Sequence, residues 1–202
     1  MAITCFMSQT FLDSELLIVD DGTENVEDII PVSSRIRYIR FEQKIPIGTK
    51  RNICCEQAQG SIIIHWDDDD WSAANRIEYQ VSKLESSEKQ LLIFYNVLYW
   101  NETTNLAYRY HPQPIGWGAA PGSSFCYQKA WWRQHPFEER IKGEDSYFAK
   151  EAQERGQLIA SDAEKLIVFR EHENSTSHIG CLLGNENIPE VNQNEIPSEF
   201  FI

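Results

Sequence analysis

A short apolar stretch that ends abruptly in four aspartates constrains this chain more than any other feature. Residues 62–66 have strand character, and Asp67–Asp70 follow them directly. In open α/β sheets, ligands bind just beyond the carboxyl ends of the strands. Four adjacent carboxylates repel one another unless a cation lies among them. The run therefore predicts a site for Mg²⁺ or Mn²⁺, which prefer oxygen ligands. A solvated acidic turn is the alternative.

A calcium-binding EF-hand loop is a further alternative for this run, since Glu78 lies at the twelfth position counted from Asp67. Such a loop needs an oxygen ligand at its fifth position and a glycine at its sixth. Trp71 and Ser72 occupy these two positions. The sequence therefore excludes an EF-hand here.

Strand and helix patterns alternate through the first half of the chain. Apolar runs stop at turn residues such as Gly22, and helical patterns end at Pro31 or Gly60. This alternation predicts an α/β fold with a mostly parallel sheet and covering helices. The predicted strands are Glu15–Val19, Arg35–Phe41, Ile62–Trp66 and Leu91–Trp100, and the predicted helices are Val26–Ile30, Thr49–Gln59 and Ala73–Glu85.

The second half of the chain is less regular. A long loop rich in proline and glycine runs from Pro112 to Gly122, and loops of that length are often functional. Residues 179–202 contain no basic residue and read as a polar, acidic, loosely ordered tail, so residues 1–178 are predicted to form the domain. The predicted elements are strands Ser123–Tyr127 and Leu166–Phe169 and helices Lys129–Arg133 and Glu144–Arg155.

Composition restricts the classes of function. A chain of 202 residues suits one domain with a sizeable core. Its net charge of −13 argues against general nucleic-acid binding. No stretch approaches the roughly 20 apolar residues of a membrane span, and no signal peptide is visible. The five cysteines lack CxxC spacing, which favours reduced thiols and a cytoplasmic location.

Basic residues concentrate just before the aspartate run. Six of the 18 lie in the 17 residues from Arg35 to Arg51, against a single acid, Glu42. An anionic ligand could be held between this stretch and a cation on the aspartates. Solvated strand and helix residues are the alternative.

Two further acidic pairs occupy comparable places. Asp20–Asp21 end a predicted strand, and Glu144–Asp145 follow Gly143 at the start of a predicted helix. The helix dipole stabilises charged carboxylates in a first turn, and a charged carboxylate near a metal site is a competent general base. Simple capping of the helix is the alternative.

The order of these motifs resembles the family 2 glycosyltransferases of the GT-A fold. The motifs are Val19-Asp20-Asp21-Gly22, Gly48-x-x-Arg51-Asn52, Asp67-x-Asp69-Asp70 and Gly143-Glu144-Asp145, and the match covers residues 2–178. The resemblance implies a single GT-A domain with a mixed, mostly parallel sheet flanked by helices. It also implies transfer of a sugar from a nucleotide diphosphate sugar, foremost a UDP-sugar, to a hydroxyl acceptor. Inversion at the anomeric carbon and a Mn²⁺ or Mg²⁺ cofactor are further implications.

The resemblance assigns roles to individual residues. Asp145 matches the base that takes the proton from the acceptor hydroxyl, and Asp69 would ligate the metal with Asp67. His172 resembles a late histidine that adds a metal ligand or contacts the diphosphate, whereas an ordinary surface histidine is the alternative. The residues implied to bind the nucleotide sugar are Asp21, Lys50, Arg51, Asp67, Trp117 and Glu144. Trp117 would stack on a sugar ring, although most tryptophans serve in packing.

The start of the sequence departs from this resemblance. Residues 2–11 resemble the helix that follows the family's first strand, so that strand and its nucleotide-base contacts are expected to be absent. An open sheet edge would favour a homo-oligomer. A non-catalytic GT-A-like domain that binds a nucleotide or a partner is therefore the second hypothesis. A sugar-nucleotide-forming nucleotidyltransferase is disfavoured, because the sequence has no early glycine-rich phosphate loop.

Overall fold

Helices and strands alternate along the first half of the chain, as the sequence predicts. The computed structural model describes residues 1–111, 116, 121–163, 165–173, 175 and 188–201. The first elements are α1 (Ala2–Met7), β1 (Leu16–Asp20), β2 (Ile36–Arg40), α2 (Ile47–Gln57), β3 (Ile62–Ile64), β4 (Trp71–Ser72), α3 (Arg76–Ser87) and β5 (Leu91–Tyr95). The later ones are β6 (Val97–Asn101), β7 (Leu106–Tyr110), β8 (Cys126–Gln128), α4 (Lys129–Gln134), α5 (Glu144–Glu154), β9 (Leu158–Asp162), β10 (Ile167–Glu171) and β11 (Glu190–Val191). A short 3₁₀ helix, Glu27–Ile29, replaces the helix predicted for residues 26–30.

The described strands form three hydrogen-bonded groups. A four-stranded sheet has the order β3-β8-β5-β9, a five-stranded sheet has the order β11-β7-β6-β10-β4, and β1 pairs with β2. The pairs β1–β2, β5–β9 and β6–β10 are parallel, whereas β8 runs antiparallel to both β3 and β5. The mixed α/β architecture flanked by helices is therefore confirmed. Within the described ranges, no helix combines the length and the apolarity that crossing a bilayer requires.

The apolar run predicted as one strand over residues 91–100 forms two strands in different sheets. Asn96 separates them and adopts a left-handed φ of 53°, a region that asparagine tolerates better than most residues. Its side-chain amide donates to Asp162 at 3.0 Å and accepts from Arg109 at 3.0 Å. This turn carries the chain from the four-stranded sheet into the five-stranded one.

Both β1 and β3 lie at sheet edges in the described part of the chain, since β1 pairs only with β2 and β3 only with β8. Their apolar side chains are half buried, whereas residues 91–94 of β5 are fully buried. The two edge strands share an apolar cluster with Phe6 of α1 and Ile77 of α3. In the described part of the chain, β1 and β3 are therefore each paired along one side only.

Residues 188–201 pack on the domain, which corrects the prediction that the last residues form a loosely ordered tail. β11 pairs antiparallel with β7. Ile196 and Phe200 are only 3% and 2% exposed, and Phe200 lies against Trp100. Burial of these apolar side chains outweighs the polar composition of the segment. The domain boundary between residues 178 and 179 stays a prediction.

Candidate active site

Asp21 lies just beyond β1 and is held by donors from the start of α2 and the loop before it. Its Oδ1 lies 2.8 Å from Lys50 Nζ and 3.4 Å from Lys44 Nζ, and its Oδ2 accepts from the backbone N–H of Ile45 at 3.0 Å. Burial alone would raise the pKa of Asp21, but these hydrogen bonds and the two lysine charges lower it to about 2. The predicted pair Asp21 and Lys50 therefore lies together, with Asp21 ionised at neutral pH.

Arg51 of α2 is shared by carboxylates from separate motifs. Its Nη1 pairs with Glu144 Oε1 at 2.5 Å, and the two side chains are 15% and 4% exposed. Burial raises the pKa of Glu144, and Arg51 opposes that rise. The pKa of Asp67 is also raised, mainly because the surrounding protein desolvates its carboxylate, although the residue is exposed at the surface. The charge of Arg51 opposes this rise, and the charges of Asp69 and Asp68 add to it. Arg51 is thus the cation that the aspartate run and the start of α5 have in common.

Asp145 joins the same cluster through its contact with Gly122. A Cβ atom placed on Gly122 would overlap Oδ2 of Asp145 and lie 2.9 Å from Nη2 of Arg51. A side chain at this position would displace the carboxylate of Asp145 or the guanidinium of Arg51, because these two groups fill the space that it would need. The backbone N–H of Ser146 donates to Oδ1 of Asp145 at 2.7 Å. The structure therefore places the predicted base half buried beside Arg51.

The acidic pair at the start of α5 does more than cap the helix. The N-cap is Gly143, whose φ of 82° suits a residue without a side chain. Glu144 is 3% exposed and its carboxylate is engaged by Arg51. The side chain of Glu144 therefore anchors α5 to α2, and Asp145 follows it at the site.

Asp69 and His172 meet although 103 positions separate them in the sequence. Nε2 of His172 lies 3.0 Å from Oδ2 of Asp69, with both side chains about one-third exposed. In the described part of the chain, no group of three or more histidine, cysteine or acidic side chains has the arrangement of a complete metal site. The carboxylate oxygen of Asp69 is a ligand type that suits both Mn²⁺ and Mg²⁺, whereas the imidazole nitrogen of His172 suits the transition metal Mn²⁺ better than Mg²⁺.

Asp70 is the member of the run that is held by hydrogen bonds from two other segments. It is 5% exposed. Its Oδ2 accepts from the hydroxyl of Ser123 and its Oδ1 from the backbone N–H of Arg170, both at 3.0 Å. Burial and the charges of Asp67 and Asp69 raise the pKa of Asp70 well above its usual value. Asp70 thereby fixes the aspartate run to residue 123 and to β10.

Two buried residues that the sequence analysis missed support the site from below. Arg76 of α3 is 1% exposed and donates from Nη2 to the carbonyl oxygens of His65 at 2.9 Å and Ser123 at 2.5 Å. Its Nη1 donates to the hydroxyl of Ser72 at 2.8 Å, and its guanidinium lies 4.7 Å from the ring centroid of Trp66. The second residue is His65, whose pKa burial lowers well below its usual value. No local pattern marks either side chain, because their partners come from distant segments.

Trp117 lies outside the described residues, so its role stays a prediction. Gly116 beside it is described. A Cβ atom there would lie 2.7 Å from Oε1 of Gln153, which shows that this point of the loop lies against α5.

The architecture is similar to solved GT-A structures of S. aureus TarS. Its residues 1–349 in complex with UDP-GlcNAc match with a TM-score of 0.68 at 15% identity, covering 87% of this chain and 56% of that one. The same fragment in complex with UDP gives a TM-score of 0.65 at 16% identity, covering 83% and 55%. The fold is therefore that of a GT-A glycosyltransferase.

The sequence gives the family. Residues 2–150 match the model of glycosyl transferase family 2, and the chain belongs to this family. A curated relative, described as an uncharacterized glycosyltransferase of Haemophilus influenzae, is 30% identical over 81 residues. That match covers 38% of this chain and 32% of the relative. The chain thus spans about a third of this curated relative and about half of the TarS fragment.

Proposed function

We propose that this chain transfers a sugar from a nucleotide diphosphate sugar to a hydroxyl acceptor, with inversion at the anomeric carbon and with Mn²⁺ or Mg²⁺ as cofactor. One observation carries the proposal: Arg51 pairs with Glu144 and lies beside Asp145 at Gly122, and its charge also acts on Asp67 of the aspartate run. The motif that would bind the donor and the residue that would act as base are therefore parts of one cluster. Sugar transfer needs a site of this kind, because the base must reach the acceptor hydroxyl that attacks the anomeric carbon of the bound donor.

The donor side of the site consists of Asp21, Lys50, Asp67, Asp69 and His172. Asp21, fixed by Lys50, is proposed to contact the base or the ribose. Asp69 and His172, with Asp67, would hold the metal, and the bound ion would stabilise the negative charge that develops on the departing diphosphate. UDP is the proposed nucleotide, since the TarS structures of the same fold contain UDP and UDP-GlcNAc.

The acceptor side is proposed to be Asp145. Its carboxylate is ionised when it removes the proton of the attacking hydroxyl. Arg51 and the backbone of Gly122 fix its position, while Glu144 binds Arg51 from the other side. Direct attack by an activated hydroxyl inverts the anomeric centre, because no enzyme nucleophile intervenes.

The first test measures release of UDP from UDP-GlcNAc in the presence of Mn²⁺, with water in the place of the acceptor. Asp145→Asn keeps the size of the side chain and removes its basicity. Turnover should fall by about 10² to 10⁴, while the KM for UDP-GlcNAc stays close to that of the wild type. Normal turnover, or loss of UDP binding instead of turnover, would contradict the assignment of the base.

The second test measures the affinity for UDP by calorimetry with and without Mn²⁺. Affinity should be higher with the metal, and Asp69→Asn should abolish the difference. Asp68→Asn is the matched control, because Asp68 is an exposed neighbour in the same run. Equal affinities in the two wild-type titrations would refute the metal site.

The alternative is a GT-A-like domain that binds a nucleotide without transferring a sugar. Among the described residues, β1 and β3 are each paired along one side only; this favours the alternative, since β1 leads directly to Asp21. Metal-dependent UDP binding without release of UDP from any UDP-sugar would identify this alternative.

A further inference from the structure

His65 links the strand that carries the aspartate run to the glycine beside Asp145. Its backbone N–H donates to the carbonyl oxygen of Phe125 at 2.9 Å. Its ring is buried, with Nδ1 at 2.8 Å from the carbonyl oxygen of Gly122 and Nε2 at 3.0 Å from the hydroxyl of Tyr127. Both ring nitrogens therefore have a partner on the segment from Gly122 to Tyr127.

The directions of these hydrogen bonds follow from their partners. A carbonyl oxygen only accepts, so Nδ1 carries the proton and donates to Gly122. In the neutral ring Nε2 then accepts, and the hydroxyl of Tyr127 donates to it. The oxygen of Tyr127 is left to accept from the thiol of Cys55, whose Sγ lies 3.1 Å away. This series of hydrogen bonds thus selects the tautomer of His65 that carries its proton on Nδ1.

Gly122 transmits this geometry to the proposed base. Its backbone lies against Oδ2 of Asp145 and Nη2 of Arg51, with no room for even a methyl group. The same turn is anchored on its other side by Arg76, which donates to the carbonyl oxygen of Ser123. A displacement of Gly122 therefore changes the space in which the carboxylate of Asp145 lies.

We propose that His65 is a positioning residue for sugar transfer, whose Nδ1–H fixes Gly122 and through it the carboxylate of Asp145. The proposal rests on the proposed function of Asp145 as the base. A histidine that only fills the core between Phe125 and Phe137, whose ring centroids lie 5.5 Å away, would act through its volume alone. If His65 is a positioning residue, loss of the donor at Nδ1 lowers turnover. If His65 only fills the core, turnover depends on the volume of the side chain and not on that donor.

Two substitutions at residue 65 separate these roles. The amide nitrogen of asparagine reaches the position of Nδ1, whereas that of glutamine reaches the position of Nε2. His65→Asn should keep most of the turnover. His65→Gln should lose about 10²-fold in kcat, the scale of a misplaced catalytic group, while the KM for UDP-GlcNAc stays near that of the wild type. Equal losses in the two variants, or a loss confined to KM, would overturn the proposal.

Two measurements keep the test independent of activity and of the stability of the variants. Nitrogen-15 NMR of the wild-type protein should show His65 with its proton on Nδ1, and a proton on Nε2 would overturn the proposal. Crystal structures should show Asp145 displaced in His65→Gln and in place in His65→Asn. His111→Gln, at an exposed position, is the control. If the wild type releases no UDP, the proposed function fails, whereas these two measurements still show whether Nδ1–H of His65 fixes Gly122 and the position of Asp145.

Discussion

The substitution Asp21→Asn should make the stability of the protein less dependent on pH. Asp21 is 5% exposed and lies 2.8 Å from the ammonium group of Lys50. Asparagine can still accept a hydrogen bond from the backbone of Ile45, but it carries no charge. The variant therefore isolates the contribution of the ionised carboxylate, which Lys50 and Lys44 stabilise in the folded state.

The size of the effect follows from the pKa of Asp21. Folding lowers it from 3.8 to about 2, and each pKa unit corresponds to about 1.4 kcal/mol. The ionised carboxylate thus contributes about 2 kcal/mol to the free energy of unfolding at pH 7. Because the pKa is lower in the folded state, this contribution is complete above pH 3.8 and is lost as the pH falls toward 2.

Urea-induced unfolding of the wild type and of Asp21→Asn over a range of pH tests this reasoning. At pH 7 the free energy of unfolding of the variant should be lower by about 2 kcal/mol. In thermal unfolding, this difference corresponds to a Tm that is lower by about 4 to 8 °C for a chain of this size. The difference should shrink as the pH falls below about 4. Asp28→Asn, at an exposed position, should show no such difference. A difference of the same size at every pH would refute the reasoning.

Three further substitutions test the packing around the site. Gly122→Ala should displace Asp145 and lower UDP release by about 10²-fold, with only a small change in UDP affinity; normal turnover would contradict the close contact. Arg76→Lys should lower the free energy of unfolding by about 3 kcal/mol, because one ammonium group cannot replace the branched set of buried donors. Phe200→Ala should cost about 3 to 5 kcal/mol in urea unfolding without changing UDP affinity, and a smaller cost would mean that residues 188–201 are not firmly packed.

The sequence predicted the carboxylate-bearing ends of the elements well. Asp21 and the run from Asp67 were expected at strand ends because an apolar run stops at each of them. Glu144 and Asp145 were expected at a helix start because a glycine precedes a helical pattern. These are local signals, and the motif order then predicted that they would meet. In the structure Arg51 pairs with Glu144 and lies beside Asp145 at Gly122, whereas the roles of these residues and of Asp67 stay predictions.

The supporting residues could not be predicted, because their partners lie far away in the sequence. His65 and Gly122 are 57 positions apart, and Asp70 and Arg170 are 100 apart. The break at Asn96 was hidden inside a continuous apolar run, since only the left-handed backbone of that residue separates the two strands. The packing of residues 188–201 was not predicted, because a polar composition does not reveal that Phe200 is buried against Trp100.

The distribution of charge at the aspartate run explains why metal and nucleotide should bind together. Arg51 and the buried Arg76 oppose the rise in the pKa of Asp67, so the two guanidinium groups offset part of the negative charge of the run. Asp69, about one-third exposed, remains at the surface of the run. Without a metal, the negative phosphates of a diphosphate would be repelled by the carboxylate of Asp69. A divalent ion between Asp69 and the phosphates would attract both groups. Asp69 is therefore expected to set the metal dependence of binding and Asp145 the rate of transfer, so that substitutions at these two aspartates separate binding from chemistry.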